Sequence, residues 1–332
     1  MLRKKFGIQN FFYRIHQVLP LVIFSFGVQA ESFHGNAKWR WDASSRHQYD
    51  FERDKNAAIH AFGIDYHNTI SDTKRDNLTA LLQLYYTRID NLNPHPGFFE
   101  DDDDQEFTFR NFNLQWTPTI SSPTFKFGRT ELPFGIETLE DTNGTIRDYG
   151  IGRKVGYKAD WGLGLFRLDE NLDIEATWTL GSNQEIDYED GNYVGAFRVG
   201  NGRQKTLIYG FSATKRRVDK TVSQNFALDL HWYFNLNRVL FEISKGNKNA
   251  VTEMETLLEV GRHSQDETLY YYLQHWYASQ NPDAGRVKDN ALWAGVDWQV
   301  NREVTLEAQY RRRFSSDKKD LNQIWLQIRF QL

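Results

Sequence analysis

Apolar and polar residues alternate one for one along most of the chain beyond residue 30. Phe226, Leu228, Leu230, Trp232 and Phe234 are interleaved with Asn225, Ala227, Asp229, His231 and Tyr233. Leu292, Ala294, Val296, Trp298 and Val300 are interleaved with Trp293, Gly295, Asp297 and Gln299. Val304, Leu306, Ala308 and Tyr310 do the same, as do Ala37, Trp39, Trp41 and Ala43. A period of two sends successive side chains to opposite faces of a strand, so these windows read as strands with one apolar and one polar face. The pattern predicts sixteen strands, at 33–44, 56–68, 77–90, 105–117, 122–130, 152–168, 171–181, 191–200, 204–214, 224–235, 237–246, 252–262, 267–278, 289–300, 303–314 and 321–332. Totals of 14 or 18 also fit, because parity is muddled in the second strand and the sixth is long enough to split.

The connections sort by parity as well. Short ones fall at 118–121, 169–170, 200–203, 236 and 301–302, and longer, more charged ones at 45–55, 91–104, 131–151, 181–190 and 279–288. The stretch 69–76 is long for its side. Short turns on one side and long loops on the other mark an antiparallel transmembrane β-barrel of the outer-membrane kind, with both termini on the short-turn side. A soluble β-sandwich would alternate too, but sixteen unbroken strands are many for one sandwich. The apolar face also carries Trp39, Trp41, Trp116, Trp178, Trp232 and Trp298, as interface girdles require. No repeat or linker divides the chain, which predicts one barrel domain over 31–332.

The first 30 residues read differently. Arg3, Lys4, Lys5 and Arg14 precede an apolar run at 18–28, and Val28-Gln29-Ala30 puts small residues at the −3 and −1 positions of a cleavage site. This is the form of a secretory signal peptide over 1–30, and the run is too short for a spanning helix. Losing those four basic residues takes the formal charge from −4 to −8, which gives no reason to expect nucleic-acid binding. Mean hydropathy is −0.65, and beyond residue 30 no stretch approaches the ~20 apolar residues a spanning helix needs, which excludes a multi-helix membrane protein. Zero Cys excludes disulfides, thiol catalysis and Cys-ligated zinc. At the other end, Leu326, Ile328, Phe330 and Leu332 share one face and Gln327, Arg329 and Gln331 the other, like the terminal strand read by the bacterial barrel-insertion machinery, although that signal usually ends in Phe or Trp.

With the strands placed, Phe109 to Trp116 (FRNFNLQW), Phe125-Lys126-Phe127-Gly128-Arg129 and Leu132-Pro133-Phe134-Gly135 resemble the porin superfamily, especially its phosphate-selective (O/P-type) members. There an Arg-led strand is followed by a Gly-Arg strand end and a Pro-Phe-Gly entry to a loop. The resemblance implies a 16-stranded trimeric channel whose third external loop folds inward. That connection is 131–151 here, and it holds Glu137, Glu140, Asp141, Arg147 and Asp148.

In a barrel the polar face lines water. Parity therefore names wall cations Lys38, Arg40, Lys126, Lys154, Arg198, Arg238, Arg311, Arg313 and Arg329, and wall anions Asp42, Asp173, Glu175, Asp229, Glu242, Glu255, Glu259, Asp297 and Glu307. The near balance of signs predicts weak ion selectivity, against the phosphate selectivity that the resemblance suggests. Arg129 is counted among the constriction candidates, although it shares parity with Phe125 and Phe127 unless Gly128 kinks the strand. The expected function is an outer-membrane porin in a Gram-negative cell, passing small hydrophilic solutes or ions by diffusion, without a cofactor.

The acidic run Asp101-Asp102-Asp103-Asp104 offers carboxylates to Ca²⁺ or Mg²⁺ but lacks the alternate spacing of an EF-hand, so it reads as a solvated loop and no metal is assigned. Lys215-Arg216-Arg217 and Arg311-Arg312-Arg313 are candidate contacts for lipopolysaccharide phosphates, with a plain charged rim the alternative. An outer-membrane hydrolase would need a Ser beside a His on the lipid face; no G-x-S-x-G occurs, and a non-enzyme is expected. A structural or adhesin-like barrel fits poorly with modest loops. A transporter of hydrophobic molecules would want an apolar lumen and a plug.

Overall fold

The computed structural model describes residues 34–71, 76–92, 104–119, 121–140, 144–150, 154–188, 191–248, 251–281, 287–316 and 320–332. The expected signal peptide lies outside them. Sixteen antiparallel strands are present: β1 (His34–Asp50), β2 (Lys55–Ser71), β3 (Asp76–Asp90), β4 (Gln105–Trp116), β5 (Thr124–Glu131), β6 (Ala159–Leu168), β7 (Asp173–Thr179), β8 (Tyr193–Gly200), β9 (Leu207–Val218), β10 (Thr221–Phe234), β11 (Asn237–Lys248), β12 (Val251–His263), β13 (Leu269–Asn281), β14 (Val287–Gln299), β15 (Val304–Ser315) and β16 (Leu321–Gln331). Each pairs with its sequence neighbours, and β1 pairs with β16 to close the barrel. Closure leaves no free sheet edge, which is what a wall in lipid requires.

Parity holds from strand to strand. Arg40, Asp65 and Gln83 occupy one register row, as do Glu175 and Arg198, and all point inward. The outer wall is apolar and aromatic. At the end carrying the short turns, Trp39, Trp116, Trp232 and Trp298 are exposed; at the other end, Phe107, Trp178 and Tyr310 are. Pairs such as Trp39–Tyr66 and Trp178–Tyr193, with ring centroids 4.2 and 5.0 Å apart, form two belts.

Three details differ from the sequence expectation. The stretch 45–55 is not a long loop: β1 and β2 stay in register out to Asp50↔Lys55. Their 17 residues exceed the ~9–11 that cross a bilayer. Above the lipid belt an outer face needs no apolar residues, so Ser45 and His47 hide the strand from a hydrophobic pattern. The sixth strand starts at Ala159, not 152, which leaves 154–158 to the loop. Finally, 279–288 shrinks to a connection at 282–286, because β13 and β14 run on. The long connections are the 91–104, 132–158 and 180–192 segments, all at one end, here called the loop end.

Candidate channel constriction

Residues 132–158 join β5 to β6, and their described parts, 132–140, 144–150 and 154–158, fold into the barrel and lie against its inner wall. Leu132 and Phe134 pack with Val155 on Val194, Ala196 and Ala227 of β8 and β10. A 3-10 turn at Ile136–Thr138 follows. Gly135 donates its amide to Ser212 Oγ at 3.0 Å, and Ile136 donates to Glu242 Oε2 at 2.8 Å. Gly135 has φ 62, and a Cβ there would land on the Glu242 carboxylate, so only glycine permits this approach. Gly144, with φ 67, presses in the same way on the Arg329 guanidinium.

The loop is held by charge as well as by packing. Arg238 Nη1 donates to Glu140 Oε2 at 2.9 Å, and its Nη2 donates to Glu259 Oε1 at 2.5 Å. Tyr149 Oη and Tyr270 Oη donate to Glu259 at 3.0 and 2.6 Å, and Gln274 Nε2 donates at 2.8 Å. Glu259 is 0% exposed at the centre of this hub. Arg147 lies 3.3 Å from Asp297. Further along, Thr145 Oγ1 and the Ile146 amide donate to Glu307 at 2.8 and 2.9 Å, Arg46 donates to the Thr145 carbonyl at 2.7 Å, and Arg311 donates to the Ile146 carbonyl. On the return, Lys154 pairs with Glu242. A buried charge is tolerable only when paired and hydrogen-bonded; Glu140, Glu242, Glu259 and Glu307 each accept such bonds, while Asp297 has the ion pair to Arg147.

The ionisation of the loop follows from this setting. Burial pushes the Glu137 carboxyl up to about 7, with Lys158 opposing and Asp148 adding to the shift. Burial also acts to raise Glu140, but His231, Arg238 and Arg147 outweigh it and hold the carboxyl below its ordinary value. For Arg147, Tyr149, Asp297 and Glu259 outweigh burial and hold the guanidinium firmly charged.

The remaining expected site residues are placed as follows. Lys38 and Arg40 line the inner wall of β1, below the loop, and Arg40 Nε donates to Asp65 at 3.1 Å. Arg329 Nε donates to Asp42 at 2.9 Å. Lys126 sits 3.6 Å from Glu175 and 4.4 Å from the centre of the Phe166 ring. Arg198 is 1% exposed and locked between Asp173 and Asp229 at 3.0 and 2.6 Å. Arg313 pairs with Asp289 at 2.8 Å. Asp148 accepts the Gly150 amide at 2.9 Å and faces a cavity on the loop-end side. Asp141, Asp101, Asp102 and Asp103 lie outside the described residues; Asp104 accepts the Ile89 amide through its backbone oxygen at 2.7 Å. Among the described residues no group of three or more His, Asp or Glu side chains is placed to hold a metal.

Arg129 is not a constriction residue. Gly128 has φ 119 but keeps register with Asn113, so Arg129 stays opposite Phe112 on the outer face. There it donates to the carbonyls of Phe109 and Asn183, the latter in the 180–192 connection. Lys154 reaches the lumen from the loop rather than from a strand. Of the two basic triplets, Arg216 points inward to the Val155 carbonyl, while Lys215, Arg217 and Arg312 are exposed.

No family model matches the sequence, and no curated protein matches it. Solved structures do. OmpT of Vibrio cholerae, expressed in the outer membrane, superposes with a TM-score of 0.67 at 11% identity, over 92% of this chain and 99% of that one. OmpF of Salmonella typhi, in complex with daunomycin, gives 0.66 at 12%, over 89% and 97%. An anion-selective porin from Comamonas acidovorans gives 0.63 at 10%, over 90% and 100%. The chain has the fold of Gram-negative outer-membrane porin barrels.

Within that fold, several groups on the lumen side escape a hydrophobic pattern. Trp276, Trp293 and Trp325 point inward, in register with Ala291, Gln274 and Gln309. Arg46 anchors the loop from the part of β1 that reads as a connection. Tyr149 and Tyr270 complete the hub at Glu259, a partnership between residues 110 and 11 positions apart in sequence.

Proposed function

We propose that this protein is a porin-type channel of the outer membrane, passing small hydrophilic solutes or ions by passive diffusion past the 132–158 loop. The observation that carries this reading is the loop itself, pinned to the inner wall by ion pairs from Lys154 and Glu140 to β11 and from Arg147 to β12 and β14. The wall opposite, on β2 to β5, presents Asp65, Gln83, Asn111, Asn113, Gln115 and Lys126, a mainly amide surface joined by bonds such as Asn111–Gln83 at 2.6 Å and Gln115–Asn113 at 3.1 Å. The loop end faces the cell exterior. Ion selectivity is weak, because the wall cations are held by carboxylates: Arg40 by Asp65, Arg329 by Asp42, Arg198 and Arg203 by Asp173. Phosphate selectivity of the O/P type would need cations free of such partners. A homotrimer is in keeping with the trimer form of OmpT of Vibrio cholerae, a 13% identical structure with a TM-score of 0.63. Stepwise conductance in planar bilayers tests the reading, and its absence across a range of salts would sink it.

A second reading has one observation in its favour. On the outer wall, Ser45 Oγ is 3.0 Å from both His47 Nε2 and His60 Nδ1, and His60 Nε2 is 3.5 Å from Asp90. A hydrolase would need such a trio plus oxyanion donors. The trio is poorly suited to it: Arg88 holds Asp90 at 3.1 Å, and Ser45 pairs with both β2 and β16, so ladder bonds engage the local amides. Esterase activity abolished by Ser45→Ala would favour this reading over the channel.

A further inference from the structure

A cavity of about 430 Å³ opens on the loop-end side of the 132–158 segment, against the inner wall of β12 to β16. That volume suits a small ligand. Its chemistry is sorted by strand. Glu253 and Glu255 lie on β12, the indoles of Trp276 and Trp293 on β13 and β14, and Arg311 and Arg313 on β15. The register sets them in rows: Leu257, Trp276, Ala291 and Arg313 in one, and Glu255, Ala278 and Asp289 in the next. Glu253 and Glu255 are thus three inter-strand steps from Arg311 and Arg313, about 14 Å along the wall, with the two indoles between them, while Asp289 on β14 pairs with Arg313 and Asp148 completes the lining. Side chains converging inside a barrel shorten that span.

Two polar atoms in the wall of the cavity have no hydrogen-bond partner among the described residues. Asp289 is nine-tenths buried, and its Oδ2 takes Arg313 Nη2 at 2.8 Å while Oδ1 takes nothing. Arg313 Nε is likewise buried without an acceptor. Buried polar atoms are ordinarily satisfied, so this pair marks a place where a solute or water completes the bonding.

We propose that this vestibule is a docking site for short zwitterionic peptides, the ammonium turned to Glu253 and Glu255 and the carboxylate to Arg311 and Arg313. A peptide of two or three residues spans about 7–10 Å, which fits between the two charged edges, and its side chains lie over the indoles. A simple anion meets the β12 carboxylates, and a simple cation meets the β15 guanidiniums; a molecule with both charges at its ends satisfies each edge. The inference rests on the channel reading for its biological sense, but not for its test.

The test uses trialanine, N-acetyl-trialanine and trialanine amide on the full mature protein folded in detergent. Binding is read by saturation-transfer NMR, and transient blockade by single-channel recording with peptide on the loop-end side. Each cap should weaken binding to the wild type about tenfold, the loss of one charge-assisted contact. In Glu253→Gln, with Glu255 still present, the acetyl cap should cost less than in the wild type, and in Arg313→Gln, with Arg311 still present, the amide cap should cost less. Capped peptides binding as tightly as trialanine would overturn the proposal, as would cap effects that persist unchanged in both variants. The wild-type comparison stands alone where a variant does not fold. Openings without cap effects would remove the docking site and leave the channel; cap effects without openings would do the reverse.

Discussion

Glu137 is asked to lose its charge. Its Oε2 is buried without a hydrogen-bond partner among the described residues, and burial lifts the carboxyl from the ordinary 4.5 to about 7. The seated loop therefore binds a proton that the released loop gives up. Seating is fullest below about pH 4.5 and weakens as pH rises through 7. Glu140 has the opposite sign, but its lowered value confines its effect to pH below the ordinary carboxylate range. Open-channel current noise should thus grow between pH 5 and pH 8, and Glu137→Gln should flatten that dependence. Noise that stays pH-dependent in the glutamine variant would discount this role. At Arg238 the expectation concerns stability. Replacing it by Met removes the guanidinium from both Glu140 and Glu259, leaving Glu259 to Tyr149, Tyr270 and Gln274, and breaking a buried pair in this way costs about 3–5 kcal/mol, readable as a lower urea midpoint.

At the scale of elements, parity was enough to assign the inner face. Arg198, Asp173 and Asp229 were legible because alternation ran unbroken through β7, β8 and β10. What parity could not show was the path of the 132–158 loop, because its partners Glu242, Glu259 and Glu307 lie 106, 110 and 161 residues away from Ile136, Tyr149 and Ile146. Nor could it show where β1 and β2 end, since their upper turns have no lipid to face. Arg129 was misplaced for a related reason: a charge on the outer face looks wrong until the 180–192 connection covers it. Arg129→Ala should cost about 1–3 kcal/mol by leaving carbonyls unpaired and leave the reversal potential unchanged. A shifted reversal potential would return Arg129 to the lumen. Gly135→Ala forces a Cβ onto Glu242 at positive φ and should expose the loop to proteolysis that the wild type resists.

For the whole molecule, the polar composition and the membrane fold are compatible because hydrophobicity sits on every second residue. The lumen is charged but internally neutralised, which sets the expected selectivity. In a tenfold KCl gradient the reversal potential should lie close to zero; a strong anion preference would instead favour the phosphate-selective reading. The central claim is a water-filled barrel narrowed by one inward loop, and single-channel conductance of the wild type beside a variant lacking residues 137–147 tests it most directly. The account predicts discrete ohmic steps for both, larger in the shortened variant. No steps at any salt concentration, or steps of equal size in the two proteins, would contradict it.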